Sequence, residues 1–447
     1  MIKNNSGTYL VVEGSYSLQD LIDKNIFTEK NIEEIEYTLA LQPLKRGNNL
    51  FFVGLLENEE NRIFSLPKYC TPQDVNHAPD IINLLRTAQN QARFLDARSY
   101  LGEQRTNTNH NRIELALQLL RDFTQNGLLQ PKEYIYKRTQ AYEPTWAQTI
   151  NKIEPIFTES GAPIYSEWIG RHALKDNLHI ITRIHSQILR ECQQKYGLIL
   201  GFRPLNLEHI EPLPSHMVPV VIQLIKSILS RIYKQREVII LKYILDWLES
   251  NSDEENKVKI YGTLYFEYLW ENICTFIFQD KSKTGIWKNI IPTPQWYVNN
   301  HIFLSRGRFI LDLISTLSQS TIMIGDAKYY TPEFKDQIAF STPGMDSISK
   351  QVHYLEIVKS SLKAKNKDFY RKNRFFNAFI FPANSSTRLT KVFGYVWMSE
   401  MMREPIYCIS LDPFSAVKRY LNNQPYEKSK LKKIESELDN SKANLII

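Results

Sequence analysis

Glycine is sparse in this chain, 16 of 447 residues, which argues against fibrous, low-complexity and disordered classes. The four cysteines, Cys70, Cys192, Cys274 and Cys408, are widely separated and form no CxxC pair. That spacing removes a zinc site built on paired cysteines. Their mostly apolar settings fit reduced, buried thiols of a cytoplasmic protein. No run of about 18 uncharged apolar residues occurs, so no membrane span is expected. Met1 to Gly7 lack the charged-then-apolar layout of a signal peptide. A GxxxxGK[ST] loop is also missing, so the chain is not expected to bind a nucleoside triphosphate itself.

What is present is apolar mass. Hydrophobic residues make up 43% and aromatics 12%, with 24 Tyr and 22 Phe. The length suits two to four domains of roughly 100–200 residues, each able to bury a core. The net charge of +7 suits an anionic partner, because Lys and Arg near phosphates release counterions on binding. Proteins without such a partner carry similar charge, so the support is slight.

Residues 1–75 read as a small mixed module. Ser17 caps a short helix through Ile22, and Leu39–Leu44, Asn49–Leu56 and Ile63–Leu66 read as strands around the basic turn Lys45-Arg46-Gly47-Asn48. Residues 76–250 read as mainly helical, with helices from Asp80 to Tyr100, Ile113 to Phe123 and Met217 to Leu248. After the second of these come Gly127-Leu128-Leu129 and the basic strand Tyr134–Thr139. Helix, turn and basic strand resemble a winged helix; simple packing on a neighbour is the alternative. Asn251–Lys257 is polar and marks the main boundary. Residues 258–424 alternate helix (Leu264–Phe278), strands (Arg308–Ile314 and Thr321–Tyr330), helix (Ser347–Lys363) and three more strands. The pattern is that of an α/β domain with a mixed central sheet flanked by helices, and 425–447 form a charged tail that ends in a helix or frays. The N-terminal half is expected to be a mainly helical α+β region.

Three carboxylates and a lysine fall at informative places in that last domain. Asp312 lies in the apolar Phe309-Ile310-Leu311-Asp312-Leu313-Ile314. Asp326 and Lys328 end the apolar Ile322-Met323-Ile324-Gly325-Asp326-Ala327-Lys328. A carboxylate among such neighbours carries a large desolvation penalty unless it is paired or metal-bound. Asp326 and Lys328, two apart on a strand, point to one face, and Asp312 on the neighbouring strand reaches the same face. Two aspartates with the Ala327 carbonyl form a cradle for hard Mg²⁺, the ion that phosphodiester hydrolysis uses to neutralise phosphate and activate water. Lys328 would orient that water or stabilise the developing charge. A structural Asp326–Lys328 ion pair is the plainer alternative.

An apolar strand with Asp, a gap of 13 residues, and an apolar strand ending Asp-Ala-Lys-Tyr resemble the PD-(D/E)XK nuclease signature, with Leu311 where the signature often has Pro. The resemblance implies a metal-site glutamate on the preceding helix, Glu267 or, one turn on, Glu271. It also implies DNA contacts from Gln351 and Tyr354, which look like the Gln-then-Tyr motif of RecB-like nucleases with one residue fewer between them. Arg306 and Arg308, just before the Asp312 segment, would approach backbone phosphate or sit in a solvated turn.

Phe266–Glu271, the Asp312 segment, Gly325–Tyr329 and the Gln351 helix, with the less sharp Tyr142–Tyr165, make the chain similar to the McrC and LlaJI restriction families. That similarity implies a Mg²⁺-dependent endonuclease subunit cutting double-stranded DNA in phage defence. It also implies a separate McrB-like AAA+ GTPase subunit and dimerisation of the nuclease as a route to double-strand cleavage. Residues 1–250 would then dock the motor, read DNA, or both. A RecB-like recombination or repair nuclease, and a non-catalytic DNA-binding protein with a nuclease fold, are the competing readings.

Overall fold

Ser17 starts the first helix by a reciprocal cap. In the computed structural model its hydroxyl accepts from the Asp20 amide at 3.1 Å, and the Asp20 carboxylate accepts from the Ser17 amide at 2.7 Å. This helix, α1 (Leu18–Asp23), follows strands β1 (Ile2–Lys3) and β2 (Thr8–Val12). Thr28 and Asn31 repeat the reciprocal cap at α2 (Glu29–Thr38). Leu39, expected to open a strand, is instead the C-cap of α2. The hairpin β3 (Val53–Glu57) and β4 (Arg62–Leu66) follows, then α3 (Ala78–Gln91). The structure describes residues 1–3, 7–39, 49–58, 60–91, 112–130, 132–175, 180–207, 210–252, 258–299, 301–305, 310–383, 390–398 and 402–443. The remainder of the expected Leu39–Leu44 strand, the basic turn up to Asn48 and the end of the Asp80–Tyr100 helix lie outside them.

The chain divides into two compact units, Met1–Gln104 with Val258–Ile447, and Arg105–Lys257. The second unit holds α4 (Arg112–Asn126), β5 (Lys132–Thr139), α5 (Trp146–Lys152), β6 (Ile156–Phe157), β7 (Pro163–Ile164), β8 (Trp168–Lys175), α6 (Ile180–Leu200), α7 (Val218–Leu229) and α8 (Gln235–Ser252). Ile113, Leu115, Leu119 and Leu120 bury the inner side of α4, and Arg236 of α8 ties to Asp122 of α4 at 2.8 Å. The basic strand β5 pairs along its whole length with β8, from Lys132↔Lys175 to Thr139↔Trp168, so that a two-stranded antiparallel ribbon follows α4. Of the apolar stripe on α7, Val221 and Ile225 are buried while Val220 is exposed.

Leaving that unit, β9 (Lys259–Thr263) returns to the first sheet and pairs antiparallel with β3, giving the order β1-β2-β4-β3-β9. Gly54 and Gly262 are cross-strand partners with φ of +141° and +159°. A Cβ at Gly54 would lie 2.1 Å from the Tyr261 carbonyl, so glycine alone permits this approach. Val258 and Ile260 join Val11, Phe52, Leu56 and Ile63 in one core. The boundary expected at Asn251–Lys257 does coincide with the end of the inserted unit. The residues beyond it, however, complete the N-terminal sheet instead of opening a separate domain, because β9 supplies that sheet's last strand.

The rest of the first unit runs α9 (Phe266–Ile277), β10 (Gln295–Val298), β11 (His301–Leu304), β12 (Leu313–Ser318), β13 (Thr321–Ala327), β14 (Glu333–Lys335), β15 (Ile338–Phe340), α10 (Met345–Lys365), α11 (Lys367–Lys372), β16 (Arg374–Pro382), β17 (Thr390–Val396), β18 (Ile406–Leu411), α12 (Pro413–Leu421) and α13 (Lys428–Ala443). Five of these strands form a mixed sheet in the order β12-β13-β16-β18-β17, parallel at its centre and antiparallel at both edges. Tyr354, Leu355, Val358 and Leu362 of α10 pack on Ile314, Ile322 and Ile324 of the edge hairpin. Of the two readings of the charged tail, the helix is the one observed, α13. Leu431, Ile434 and Leu438 are buried, and Arg374 binds Glu435 at 2.6 Å and Asp439 at 2.7 Å. Among the described residues no helix is long and apolar enough to cross a membrane, and the four cysteines are buried and free.

Candidate active site

The β12–β13 hairpin pairs Leu313 with Gly325 and Ile314 with Ile324. Continued by one residue, that register sets Asp312 opposite Asp326. Asp312 itself stands in a bend just before β12, not within the strand expected there. Two anchors fix this lead-in. The Ile314 amide donates to Asp280 at 2.8 Å, and the Ser315 hydroxyl donates to the Phe278 carbonyl at 2.6 Å. Both acceptors lie at the C-terminal end of α9, so the helix carrying Glu267 and Glu271 is pinned to the strand following Asp312.

The carboxyls of the two aspartates lie within hydrogen-bonding reach of each other, and the Ala327 amide donates to Asp312 Oδ2 at 3.3 Å. Lys328 Nζ lies 2.7 Å from Asp326 Oδ2, donates to the Ser347 hydroxyl at 3.3 Å, and sits 5.4 Å from the centre of the Phe379 ring. Asp326 is buried. Burial first, then the bond to Asp326 and its charge, then Glu271, push the Asp312 carboxyl up to about 8, against an opposing pull from Lys350. Two acids in contact cannot both ionise cheaply unless a cation compensates them. Such a pair is the kind of feature that marks functional sites.

Glu271 and Glu267 part company. Burial and the Asp326 charge raise the Glu271 carboxyl, and Glu271 also acts on Asp312. Glu267 is exposed in the first turn of α9, and its charge is felt by Glu13. Glu271 is thus the helix acid in electrostatic reach of both aspartates. Among the described residues no group of three or more His, Cys, Asp or Glu is assembled that could hold a metal ion. The acidic donors that meet are two, Asp312 and Asp326.

Gln351 and Tyr354, expected to touch DNA, are buried. Gln351 Nε2 donates to the Ile324 carbonyl at 3.1 Å and to Asn377 Oδ1 at 2.7 Å, while Asn377 returns a bond to the Gln351 carbonyl at 3.0 Å. Tyr354 donates to the Ile310 carbonyl at 2.6 Å. These side chains hold α10 against the edge hairpin, a positioning task that leaves no surface for nucleic acid. Arg306 and Arg308 lie outside the described residues. Sequence reasoning passed over Lys350, an exposed group whose charge acts on Asp312, Asp326 and Glu271. Burial pulls its ammonium down, but Tyr354 and the two aspartates outweigh that and raise it. Its place beside Gln351 in sequence was the only signal available.

A family model described as LlaJI restriction endonuclease matches residues 52–414. The chain is 27% identical over 413 residues to the Type II restriction enzyme BsuMI component YdjA of Bacillus subtilis (strain 168). The match spans 89% of this chain and 86% of that protein. Among solved structures, it is similar to a half-complex from the tetradecameric assembly of Thermococcus gammatolerans McrB AAA+ hexamers with bound McrC. That match has a TM-score of 0.33 and 13% identity, covering 93% of this chain and 99% of the other. The cryo-EM McrBC complex from the same organism matches at a TM-score of 0.24 and 15% identity, over 59% and 84% of the two chains.

Proposed function

The chain belongs to the LlaJI restriction endonuclease family, and on that premise we propose that it is the DNA-cutting subunit of a restriction system, a Mg²⁺-dependent phosphodiesterase of PD-(D/E)XK type. The observation that carries the reading is the opposition of Asp312 and Asp326 across the β12–β13 hairpin, with Lys328 on Asp326. The donor set fits Mg²⁺. Mg²⁺ favours hard oxygens and is commonly held by one or two carboxylates, with waters and substrate phosphate completing the shell. Asp312, Asp326 and the Ala327 carbonyl would hold it, and Glu271 would add negative charge behind them. The bound ion would supply phosphate neutralisation and an acidified water.

The chain's own groups account for the rest. Lys328, held by Asp326 and Ser347, presents its ammonium at the site, where it orients the attacking water and meets the negative charge that builds on the phosphate oxygens. Lys350 offers a second positive group on the same side. The buried Gln351–Asn377 pair keeps α10, and with it Ser347 and Lys350, in register with β13.

The Bacillus relative is named a component of a restriction enzyme, which supports a chain that works with other subunits, and the subunit proposed here is a separate AAA+ GTPase. The test is plasmid cleavage by the purified chain with Mg²⁺, with and without the product of a neighbouring AAA+ gene, against an EDTA control. Mg²⁺-dependent linearisation that depends on Asp326 supports the reading. Cleavage that persists in EDTA, or none under any combination, rejects it in favour of a structural Asp326–Lys328 pair.

A further inference from the structure

The segment that leads into Asp312 carries a hairpin that buries almost nothing. Every residue of β10 and β11 is exposed. Their register, Trp296↔Phe303, Tyr297↔Ile302 and Val298↔His301, puts Trp296, Val298 and Phe303 on one face and Tyr297, Ile302 and Leu304 on the other. Trp296 is 64% exposed and Tyr297 73%. The strands meet at Asn299, whose φ of +50° gives the left-handed turn that a two-residue hairpin loop needs. An apolar ribbon presented to water on both faces marks a binding element.

Resting on the nuclease reading above, we propose that the β10–β11 hairpin is a DNA-engaging ribbon. It enters a groove of the duplex beside the phosphate to be cut, and Trp296 and Phe303 wedge against its bases. Two observations choose DNA as the occupant. From Lys281 to Leu311 the chain contains no Asp or Glu, and Lys281, Lys283 and Lys288, which precede the hairpin in the chain, are exposed. This one-sided charge complements a polyanion. The chain on either side of the ribbon reaches the site: Lys283 acts on Glu271, and the Tyr354 hydroxyl holds the Ile310 carbonyl, two residues before Asp312. A two-stranded ribbon fits the major groove. Apolar wedges on proteins that enter the minor groove unstack neighbouring bases, and aromatic faces stack on bases of any sequence in single strands.

The test uses the full chain carrying Asp326→Ala, so that DNA is bound and not cut. The probe is a short duplex containing 2-aminopurine, whose fluorescence rises when it unstacks. This parent is compared with the same chain carrying Trp296→Ala with Phe303→Ala, and with Tyr297→Ala with Ile302→Ala. Because these side chains are exposed, the thermal transition of each variant should match the parent's. The proposal expects duplex affinity to fall by about ten-fold or more, as removed base stacking requires. The 2-aminopurine rise should disappear, and the salt dependence set by the lysines should remain. Unchanged affinity and fluorescence in both variants overturn it, and if the same variants lose self-association or capture of an AAA+ subunit, the ribbon is a protein contact instead. A parent that binds no duplex, together with a wild-type chain that cuts none, rejects the nuclease reading itself. A wild-type chain that cuts while the ribbon variants bind and unstack normally rejects only the ribbon.

Discussion

Tyr329, next in the chain to Lys328, donates its hydroxyl to the carboxylate of Glu13 at 2.6 Å, joining residues 316 positions apart. The Lys68 amide donates to the same hydroxyl at 3.2 Å, and Lys68 Nζ lies 4.4 Å from the ring centre. Glu13 is buried, and burial raises its carboxyl while the Tyr329 bond and Lys68 lower it. The first sheet is thereby bonded to the chain that carries the candidate lysine. Tyr329→Phe removes the donor from a buried acid and should cost about 1–3 kcal/mol, read by chemical denaturation. Glu13→Gln, which keeps an acceptor, should cost less. Equal stability of Tyr329→Phe and wild type would show that this bond contributes nothing.

Gln351→Ala should also destabilise the fold by about 1–3 kcal/mol, because it removes the buried donor that Asn377 Oδ1 and the Ile324 carbonyl accept from. Since Gln351 is buried, the folded variant should keep its affinity for duplex DNA. A variant of unchanged stability and lost DNA affinity would restore Gln351 as a DNA contact.

His185 makes acid stability of the inserted unit testable. Its Nδ1 accepts from the Leu129 amide at 3.0 Å, so the ring is neutral when folded. Burial, followed by Arg236 and against Asp122, holds it down at about 4, below its ordinary 6.5. For a base depressed on folding, the stabilisation is complete above pH 6.5 and is lost as pH falls toward 4. The loss is on the order of 3 kcal/mol across that window. His185→Asn, which preserves an acceptor for Leu129, should flatten the dependence measured by denaturation at pH 7 and pH 5. An unchanged slope in the variant would assign the acid sensitivity to other groups.

Asp312 behaves oppositely. Its carboxyl is raised when folded, so its contribution is most favourable below its ordinary pKa of about 4 and fades as pH rises through about 8. In metal-free solution at pH 8, Asp312→Asn should therefore raise stability, on the order of 1 kcal/mol after relaxation of the site. Mg²⁺ should stabilise the wild type and leave the variant unmoved. A variant less stable than wild type in EDTA would mean that Asp312 is a structural acid.

The part of this site legible in the sequence is the part written locally. An acid in an apolar strand is costly wherever it stands, and a hairpin gap of 13 residues brings Asp312 to Asp326 by register alone. The mixed sheet could likewise be read from the order of helices and strands. What escaped depends on partners far away in the chain. Nothing in Lys259–Thr263 announces that β3, some 200 residues earlier, is its neighbour, so an independent C-terminal domain looked reasonable. The buried places of Gln351 and Tyr354 follow from how α10 lies on the hairpin, which the spacing of a motif does not specify. Glu271 and Glu267 differ by one helical turn, and only the packing of α9 separates them. The exposed β10–β11 ribbon was unread because apolar strands are ordinarily taken as core.

The measurement that reaches the central claim most directly is Mg²⁺-dependent cleavage of plasmid DNA by the wild-type chain and by Asp326→Ala. Both are assayed at saturating DNA, with and without the proposed AAA+ partner, with folding confirmed by matching thermal transitions. With Asp326 beside both Asp312 and Lys328, the account predicts that the variant folds, binds DNA and loses cleavage by about a hundred-fold or more, as removal of one transition-state group typically brings. An Asp326→Ala chain that still cuts at a rate near wild type would contradict it, and Asp312, Asp326 and Lys328 would then be an ion-paired element of the fold.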